Sequence, residues 1–396
     1  MSKLKQKNLY LEINDQNFLL AIGEHDDELN FKILEHEFYS PSGFKKGKII
    51  NLANTVENLK KAVKEIENKS NLLFTEVNVI VNQTDFDCIN VSGFKKLNGN
   101  QILSDDISYI LNDVKSKLLE TEKDKTIIHL FNTKYILDNK QIKNLPIGLY
   151  GDFYSHQLTF FLIKNNELKN LKTLFNKCNL AINKIILKSF SDGIKIINNY
   201  KNDTFIKIKI SKDESILSFF FESAFCFSQK FDFGSNIILR DISKVCSLEI
   251  STVNKIISET SFEILDKNLY VDKKYFDKNK FRKISLEHII EISTARIEEI
   301  TNIIFNKNRN LNDFKNKEID LYLDFEDKNI SHRFHYIFEN SIEKCKLNFL
   351  KTKDEDPFEC IKIFGQLLSK GWIKEAIPVV NKKRSLISRI FSGLFE

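Results

Sequence analysis

The sequence predicts an α/β protein made of two similar halves, with a small α+β insertion in the first half and an amphipathic helix at the C terminus. Three short apolar strands open the chain at 8–38, and a second set of three follows at 204–231, which indicates an internal duplication. Residues 84–163 interrupt the first half with a different pattern of Gly, Pro and apolar residues. The last fifteen residues, 382–396, place their large apolar side chains at helical spacing.

Composition limits the classes of protein that need be considered. A chain of 396 residues exceeds what one hydrophobic core normally organises, and 42% hydrophobic with 29% charged residues is typical of a globular protein. The net charge of +6 is spread over interspersed acidic and basic residues, which disfavours a nucleic-acid groove. Six cysteines without a C-x-x-C pair suggest reduced, buried thiols. We expect no signal peptide and no membrane-spanning helix, and hence a cytoplasmic location.

The first half begins with alternating strands and an amphipathic helix. Its predicted elements are strands at 8–13, 17–23 and 29–38, a helix at 54–68, a strand at 76–81, a helix at 165–179, a strand at 182–187 and a helix at 190–198. In the insertion, short strands at 88–94 and 127–130 flank a helix at 104–119. This order predicts a sheet covered by helices, with a separate small α+β unit between its strands.

The second half repeats the same opening. Its predicted elements are strands at 204–210, 215–221 and 224–231, helices at 237–246, 251–257 and 286–305, a strand at 319–323, and helices at 331–344 and 358–368. The predicted domain bounds are 1–83 with 164–200 for the first half, 84–163 for the insertion, 201–253 with 316–372 for the second half, 254–315 for a small partner-binding subdomain, and 373–381 for a linker to the tail.

The tail has the pattern of a helix that lies in the plane of a membrane. On one stripe we expect Leu386, Ile387, Ile390, Phe391, Leu394 and Phe395. The basic residues that would meet anionic lipid are Lys382, Lys383, Arg384 and Arg389. Each cation near an anionic leaflet contributes about 1 kcal/mol, so one copy predicts weak and reversible binding. Several copies on a polymer would bind firmly, because later attachments are effectively intramolecular. A terminal helix packed on its own domain is the alternative.

Several passages in the same order resemble the bacterial cell-division FtsA family. They are Ile136–Asn139, then 142–151 (IKNLPIGLYG), 233–248 (FGSNIILRDISKVCSL) and 289–300 (IIEISTARIEEI), followed by the amphipathic tail. The resemblance implies an actin-like fold with RNase H-like duplicated halves. It also implies a membrane adapter for FtsZ that self-associates, meets other division proteins through 84–163, and acts at the division site on the cytoplasmic face of the inner membrane.

The same resemblance implies a site for ATP and Mg²⁺ between two hairpins, but the residues depart from the family pattern there. In the first hairpin, Glu12 stands where the family has aspartate, and Asn14 stands where it has glycine. In the second, Lys209 replaces an aspartate, Ser211 replaces a glycine, and Gly234 survives from a later motif. A third motif becomes 323–328 (LDFEDK) and loses its glycines. Because phosphates need close backbone approach, we expect this chain to lack orthodox ATP hydrolysis.

The resemblance also implies a surface for the FtsZ C-terminal peptide around the helix at 286–305. The matching residues are Arg282, Ile289, Ile292, Arg296 and Glu299. An arginine binds carboxylate or backbone groups bidentately, and the isoleucines would add apolar contact. The alternative is an Arg296 paired with Glu299 or Glu291 of its own helix. The sequence predicts no catalytic residues and no metal site.

The predicted function is therefore a cell-division adapter that tethers FtsZ filaments to the inner membrane. The alternatives are a PilM-like pilus-assembly protein, an actin-superfamily ATPase or kinase, and a basic nucleic-acid-binding module. The tail disfavours the first, the missing phosphate glycines disfavour the second, and the mixed surface charge disfavours the third.

Overall fold

The computed structural model describes residues 7–14, 17–26, 30–40, 42–45, 47–82, 85–260, 269–276, 281–311, 319–342, 346–350 and 356–376. The described chain forms two compact units. Unit 1 takes its residues from 1–199 and from 356 onward, and unit 2 from 200–355. The predicted membrane helix at 382–396 lies outside the described residues, as does most of the predicted linker.

Unit 1 contains a five-stranded mixed sheet. Elements are numbered in chain order: β1 (Asn8–Ile13), β2 (Phe18–His25), β3 (Phe31–Tyr39), the small hairpin β4 (Phe44–Lys45) and β5 (Lys48–Ile49), α1 (Leu52–Ser70) and β6 (Glu76–Val81). After the insertion come α3 (Asn165–Lys177), β11 (Ala181–Leu187) and α4 (Lys188–Tyr200). The strand order is β11-β6-β1-β2-β3, with β1, β2 and β3 antiparallel and β6 and β11 parallel to β1.

Helix α1 shows how the sequence sets these boundaries. The Asn51 side chain accepts a hydrogen bond from the Asn54 amide at its start, and Asn71 ends it in the left-handed region. Leu59, Val63 and Ile66 lie one helical turn apart and are buried. The predicted helix at 54–68 is therefore confirmed with two residues added at each end.

The insertion folds as one helix on a four-stranded antiparallel sheet. Its elements are β7 (Asp87–Lys96), α2 (Ser104–Thr121), β8 (Lys125–Leu137), β9 (Lys140–Ile142) and β10 (Phe153–Lys164), in the sheet order β7-β10-β8-β9. A Cβ on Gly93 would overlap the Ile110 and Val114 side chains, so this glycine lets α2 lie close to the sheet. Sequence reasoning missed β10 and most of β8. Strand β10 is buried on both faces from Leu158 to Ile163 and shows no alternation there.

Unit 2 repeats the strand topology of unit 1. Its elements are β12 (Phe205–Ile210), β13 (Ser215–Phe221), β14 (Ala224–Phe231), α5 (Asn236–Cys246), α6 (Ile250–Glu259), α7 (Leu286–Thr301), β15 (Asp320–Phe325), α8 (Lys328–Ser341) and β16 (Lys346–Phe349). The order β14-β13-β12-β15-β16 matches β3-β2-β1-β6-β11 strand by strand, including the parallel pairs. This repeat confirms the predicted duplicated α/β fold.

Two predicted assignments differ from the packing. Helix α9 (Glu359–Lys370) was predicted in the second half, but it lies on the sheet of unit 1, where His25 Nε2 is 2.9 Å from the Gly365 carbonyl oxygen. The Phe31 ring fills the space that a side chain on Gly365 would need, so the glycine permits this packing. The described part of the predicted 254–315 subdomain shares one hydrophobic core with the second sheet, from Ile206 to Ile304.

Candidate functional site

The first candidate centre lies at the carboxyl end of β1. Glu12 is only 3% exposed, and its Oε1 accepts a hydrogen bond from Asn14 Nδ2 at 2.9 Å. The same oxygen forms an ion pair with the Lys188 ammonium. Lys188 opens α4 directly after β11, and because β1, β6 and β11 run parallel, their carboxyl ends meet at one edge. The fold thus brings the predicted acid Glu12 together with Asn14 and with Lys188, which sequence reasoning missed.

The surroundings of Lys188 keep it charged. Burial alone would lower the pKa of the ammonium, but the groups around it, among them the Glu12 and Asp192 carboxylates, raise that pKa above its ordinary value. On the same side, burial raises the pKa of the Cys360 thiol to about 12, so the thiol stays neutral. The ammonium of Lys188 therefore occupies the space beside the carboxylate where a bound cation would have to sit.

The second candidate centre is the turn between β12 and β13. A Cβ on Gly234 would overlap the Ser211 carbonyl oxygen, and the Lys212 carbonyl is almost as close. The amide of Ser235 donates to Ser211 O, and the amide of Asn236 donates to Lys212 O, both at 2.9 Å. The surviving glycine therefore serves close packing of the turn against the start of α5. Two amides at this helix N terminus point to backbone carbonyls, which makes them unavailable to a phosphate.

The predicted Lys209 lies on β12 beside a second ion pair. Lys207 Nζ is 3.3 Å from Asp324 Oδ2, and Asp324 pairs in register with Lys209 across the parallel strands β12 and β15. The Lys207 side chain is 8% exposed and that of Asp324 is 21% exposed. The Asp324 carboxylate of the second sheet is thus also neutralised by a lysine of the protein itself.

A cavity of about 510 Å³ lies near this turn within unit 2. It is lined by Lys212, Asn236, Asn254, Lys255, Asp327 and Asn329, among others. The Asp327 carboxylate caps α8 by accepting from the amides of Asn329 (3.0 Å) and Ile330 (3.3 Å). This acid takes the donors of the helix N terminus and adds negative charge, so it opposes a phosphate at this place.

The predicted partner residues differ in burial and in the contacts that they already make within the protein. Arg296 forms ion pairs with Asp241 of α5 and with Glu299 of its own helix, as the alternative interpretation expected. Ile289 is fully buried in the core of unit 2, so the prediction that it contacts a partner was wrong. Ile292 is half-buried against the same core, and Arg282 is exposed.

A short ribbon next to these residues exposes apolar surface that sequence reasoning missed. The Val271 amide donates to Ile284 O at 2.8 Å, and Tyr270 and Ser285 form an antiparallel bridge, which together join the two segments of the ribbon. Leu269 and Tyr270 are both more than 40% exposed, and Phe281 is 51% exposed. The Lys283 ammonium lies 4.3 Å from the centroid of the Tyr270 ring. We call Leu269, Tyr270, Phe281, Arg282 and Lys283 the ribbon surface. Their signal in the sequence is aromatic residues among lysines.

None of the described helices is long and apolar enough to cross a membrane.

Residues 84–155 match the family model of the SHS2 domain inserted in FtsA, at the place where the structure inserts its helix and four-stranded sheet. The chain is similar to FtsA proteins, from which it has diverged far. It is 22% identical over 245 residues to the cell division protein FtsA of Buchnera aphidicola subsp. Acyrthosiphon pisum, a match that covers 61% of this chain and 58% of that relative. FtsA of Neisseria meningitidis serogroup B is 20% identical over 300 residues, which covers 74% of this chain and 72% of that protein.

A solved structure supports the actin-like fold. A chain of the PilM-PilN type IV pilus biogenesis complex superposes with a TM-score of 0.52 at 9% identity, covering 93% of this chain and 99% of that one. At this identity the likeness concerns the fold alone. Cell division is the role named for the FtsA relatives.

Proposed function

We propose that this FtsA-like protein is an adapter that holds FtsZ filaments at the cytoplasmic face of the inner membrane, at the division site. The observation that supports it most is the SHS2 domain of FtsA, inserted between β6 and β11 of a duplicated α/β fold. The tail pattern at 382–396 supplies the membrane contact in this proposal. Self-association and contacts with other division proteins would use the inserted domain.

The FtsZ C-terminal peptide would bind the ribbon surface. Exposed aromatic rings beside Arg282 and Lys283 suit a peptide with both apolar and acidic side chains, because rings provide contact area and cations provide charge complementarity. Arg296 contributes less in this proposal, since its guanidinium already forms two ion pairs.

Fluorescence anisotropy with a labelled FtsZ peptide tests this surface. The double variant Tyr270→Ser with Phe281→Ser should bind at least about tenfold more weakly, as expected for aromatic contacts at an interface centre. Phe94→Ser is the matched control, because Phe94 is 67% exposed on the inserted domain. Equal binding by the double variant and the wild type would place the peptide elsewhere.

The adapter would work without hydrolysing ATP. The residues present do not fit Mg²⁺ and a triphosphate well: the Glu12 carboxylate holds an ammonium, the turn after β12 lacks glycine, and Asp327 caps α8. Calorimetry should therefore show no tight Mg-ATP binding. Micromolar affinity would contradict this part of the proposal and favour an ATPase of the same fold.

Vesicle flotation tests the adapter as a whole. FtsZ is mixed with anionic liposomes, without nucleotide, and with either the full chain or the truncation 1–381. FtsZ should float only with the full chain. A full chain that floats while FtsZ stays behind would keep the tail anchor, remove the FtsZ assignment, and favour a pilus-type partner.

A further inference from the structure

The chain that follows α9 pairs with the inserted domain through an antiparallel β-bridge. The amide of Asn132 in β8 donates to Lys374 O at 2.8 Å, and the amide of Ala376 donates to Leu130 O at 2.7 Å. Phe131 and Glu375 form an antiparallel bridge between these bonds. At the far end of β8, residues 135–137 pair with β9. The segment 372–376, which we call the latch, therefore covers the middle of the β8 edge that pairs with β9 at its far end.

A buried pair of side chains holds the latch. His129 is fully buried, and its Nε2 accepts the Leu187 amide at 3.1 Å. This fixes the tautomer, so Nδ1 carries the proton and donates to Glu375 Oε1 at 2.8 Å. The Glu375 side chain is 3% exposed, and Lys184 Nζ lies 3.9 Å from its other oxygen. Burial would raise the pKa of Glu375, but the His129 hydrogen bond and the Lys184 charge hold it below its ordinary value.

Contacts on both sides extend the attachment. Trp372 meets the Phe190 ring edge-on with centroids 6.2 Å apart, and Lys374 Nζ lies 5.2 Å from the centroid of Tyr135. Gly371 adopts φ +67 at the end of α9, a conformation that favours glycine and turns the chain away from the helix axis. Side chains from β8, β11 and α4 thus contribute to one attachment point.

We propose that the latch fixes where the chain leaves unit 1 toward the tail, and so turns the β8 edge of the inserted domain toward the lipid surface. This rests on the proposed membrane role of 382–396. From Ala376 to Lys382 is six residues, a reach of about 20 Å at full extension, whereas a chain free from Lys370 onward would reach about 40 Å. Attachment thus halves the tether and restricts the orientations in which a bound molecule can stand on the membrane.

Hydrogen exchange on the full chain tests whether the latch is held as described. Glu375→Ala should speed exchange at the Asn132 and Ala376 amides at least about tenfold, because a hydrogen bond to a charged group is lost. Ala376→Pro removes one bond without leaving a buried charge, and serves if the first variant folds poorly. Glu359→Gln, which loses a carboxylate paired with Lys195, is the matched control. Unchanged exchange at Asn132 in both latch variants would overturn the latch.

Energy transfer on vesicles tests the orientation. The donor is attached at the exposed Tyr150 through an unnatural amino acid, and the acceptor is a labelled lipid in anionic vesicles. The wild type should give one narrow distribution of energy-transfer efficiency. The latch variants should bind the vesicles equally well but give a broader distribution. Identical distributions in a variant that has lost exchange protection would overturn the orientation. Wild type that fails to bind vesicles would instead overturn the tail anchor, while the exchange result still decides whether the latch exists.

Discussion

The two units share one strand topology, but the ion pairs near the carboxyl ends of their strands are buried to different extents. In unit 1 the buried Glu12 is paired with Lys188, which directly follows the edge strand β11. In unit 2 the pair is Lys207 with Asp324, and this carboxylate still reaches water. In both units a lysine of the protein neutralises an acid near the end of the sheet. The deeper pair should matter more for stability, because a buried carboxylate without its partner has no solvent to replace it.

The largest expected effect comes from Lys188→Met. Leaving Glu12 buried beside an apolar side chain should lower the free energy of unfolding by about 3–5 kcal/mol. Urea unfolding followed by Trp372 fluorescence measures it, since the single tryptophan packs against Phe190 of α4. Adding Glu12→Leu should restore most of the loss, because an apolar pair needs no charge compensation.

Lys195→Met is the control for that measurement. Lys195 lies on the same helix and pairs with Glu359, but both side chains are more than 20% exposed, so the loss should be at most about 1 kcal/mol. Equal losses at Lys188 and Lys195 would contradict the distinction between the deep and shallow pairs.

Among the substitutions in unit 2, Gly234→Ala should destabilise the protein most. The new methyl group meets backbone atoms of Ser211 and Lys212 that cannot rotate away, so we expect a loss of about 3 kcal/mol. Circular dichroism during thermal unfolding detects it. Ser235→Ala should change little, since the buried Ser235 hydroxyl has no hydrogen-bond partner among the described residues. A tolerated alanine at 234 would mean that the turn stands further from α5 than the structure shows.

Lys207→Met sharpens the comparison directly. Asp324 keeps contact with water after the change, so the loss should be about 2 kcal/mol, clearly below that of Lys188→Met. The same urea titration, followed by circular dichroism, gives the value. A loss as large as that of Lys188→Met would show that exposure of the acid does not set the cost.

Asp327→Ala gives the smallest expected effect. Removing the cap leaves the Asn329 and Ile330 amides to water, which costs about 1 kcal/mol. Thermal unfolding measures the cost, and calorimetry with inorganic phosphate asks whether the freed helix terminus gains affinity for an anion. Asn329→Ala, at the same cavity, serves as the control. A more stable Asp327→Ala protein would contradict the capping role.

Local patterns predicted the secondary structure well where turn residues bound a short apolar run. The strands β1, β6, β13 and β14 begin and end at the predicted residues, because such runs and turn residues are both present in the sequence. Prediction failed for β10, and for the packing of α9, which joins a sheet far from it in sequence. A short apolar run does not show which sheet will cover it.

The candidate site shows the same division. Glu12 and Asn14 were found because one short motif places them close together along the chain, and Gly234 was found in a second short motif. Lys188 was missed because it lies 176 positions from Glu12, and only the parallel arrangement of β1, β6 and β11 brings the two together. Ile289 was misassigned because helical spacing identifies an apolar face without showing whether that face meets a partner or the protein's own core.

The sequence by itself determined the duplicated α/β organisation, the inserted domain, the loss of the glycines at the hairpin turns, and the amphipathic pattern of 382–396. These depend on residue types at short spacing, which the chain carries without being folded. Only the tertiary structure decided which charges neutralise one another, what Gly234 packs against, and where the latch attaches to β8. Those contacts join residues distant along the chain, and their strength depends on burial, which arises only when the sheets and helices have packed.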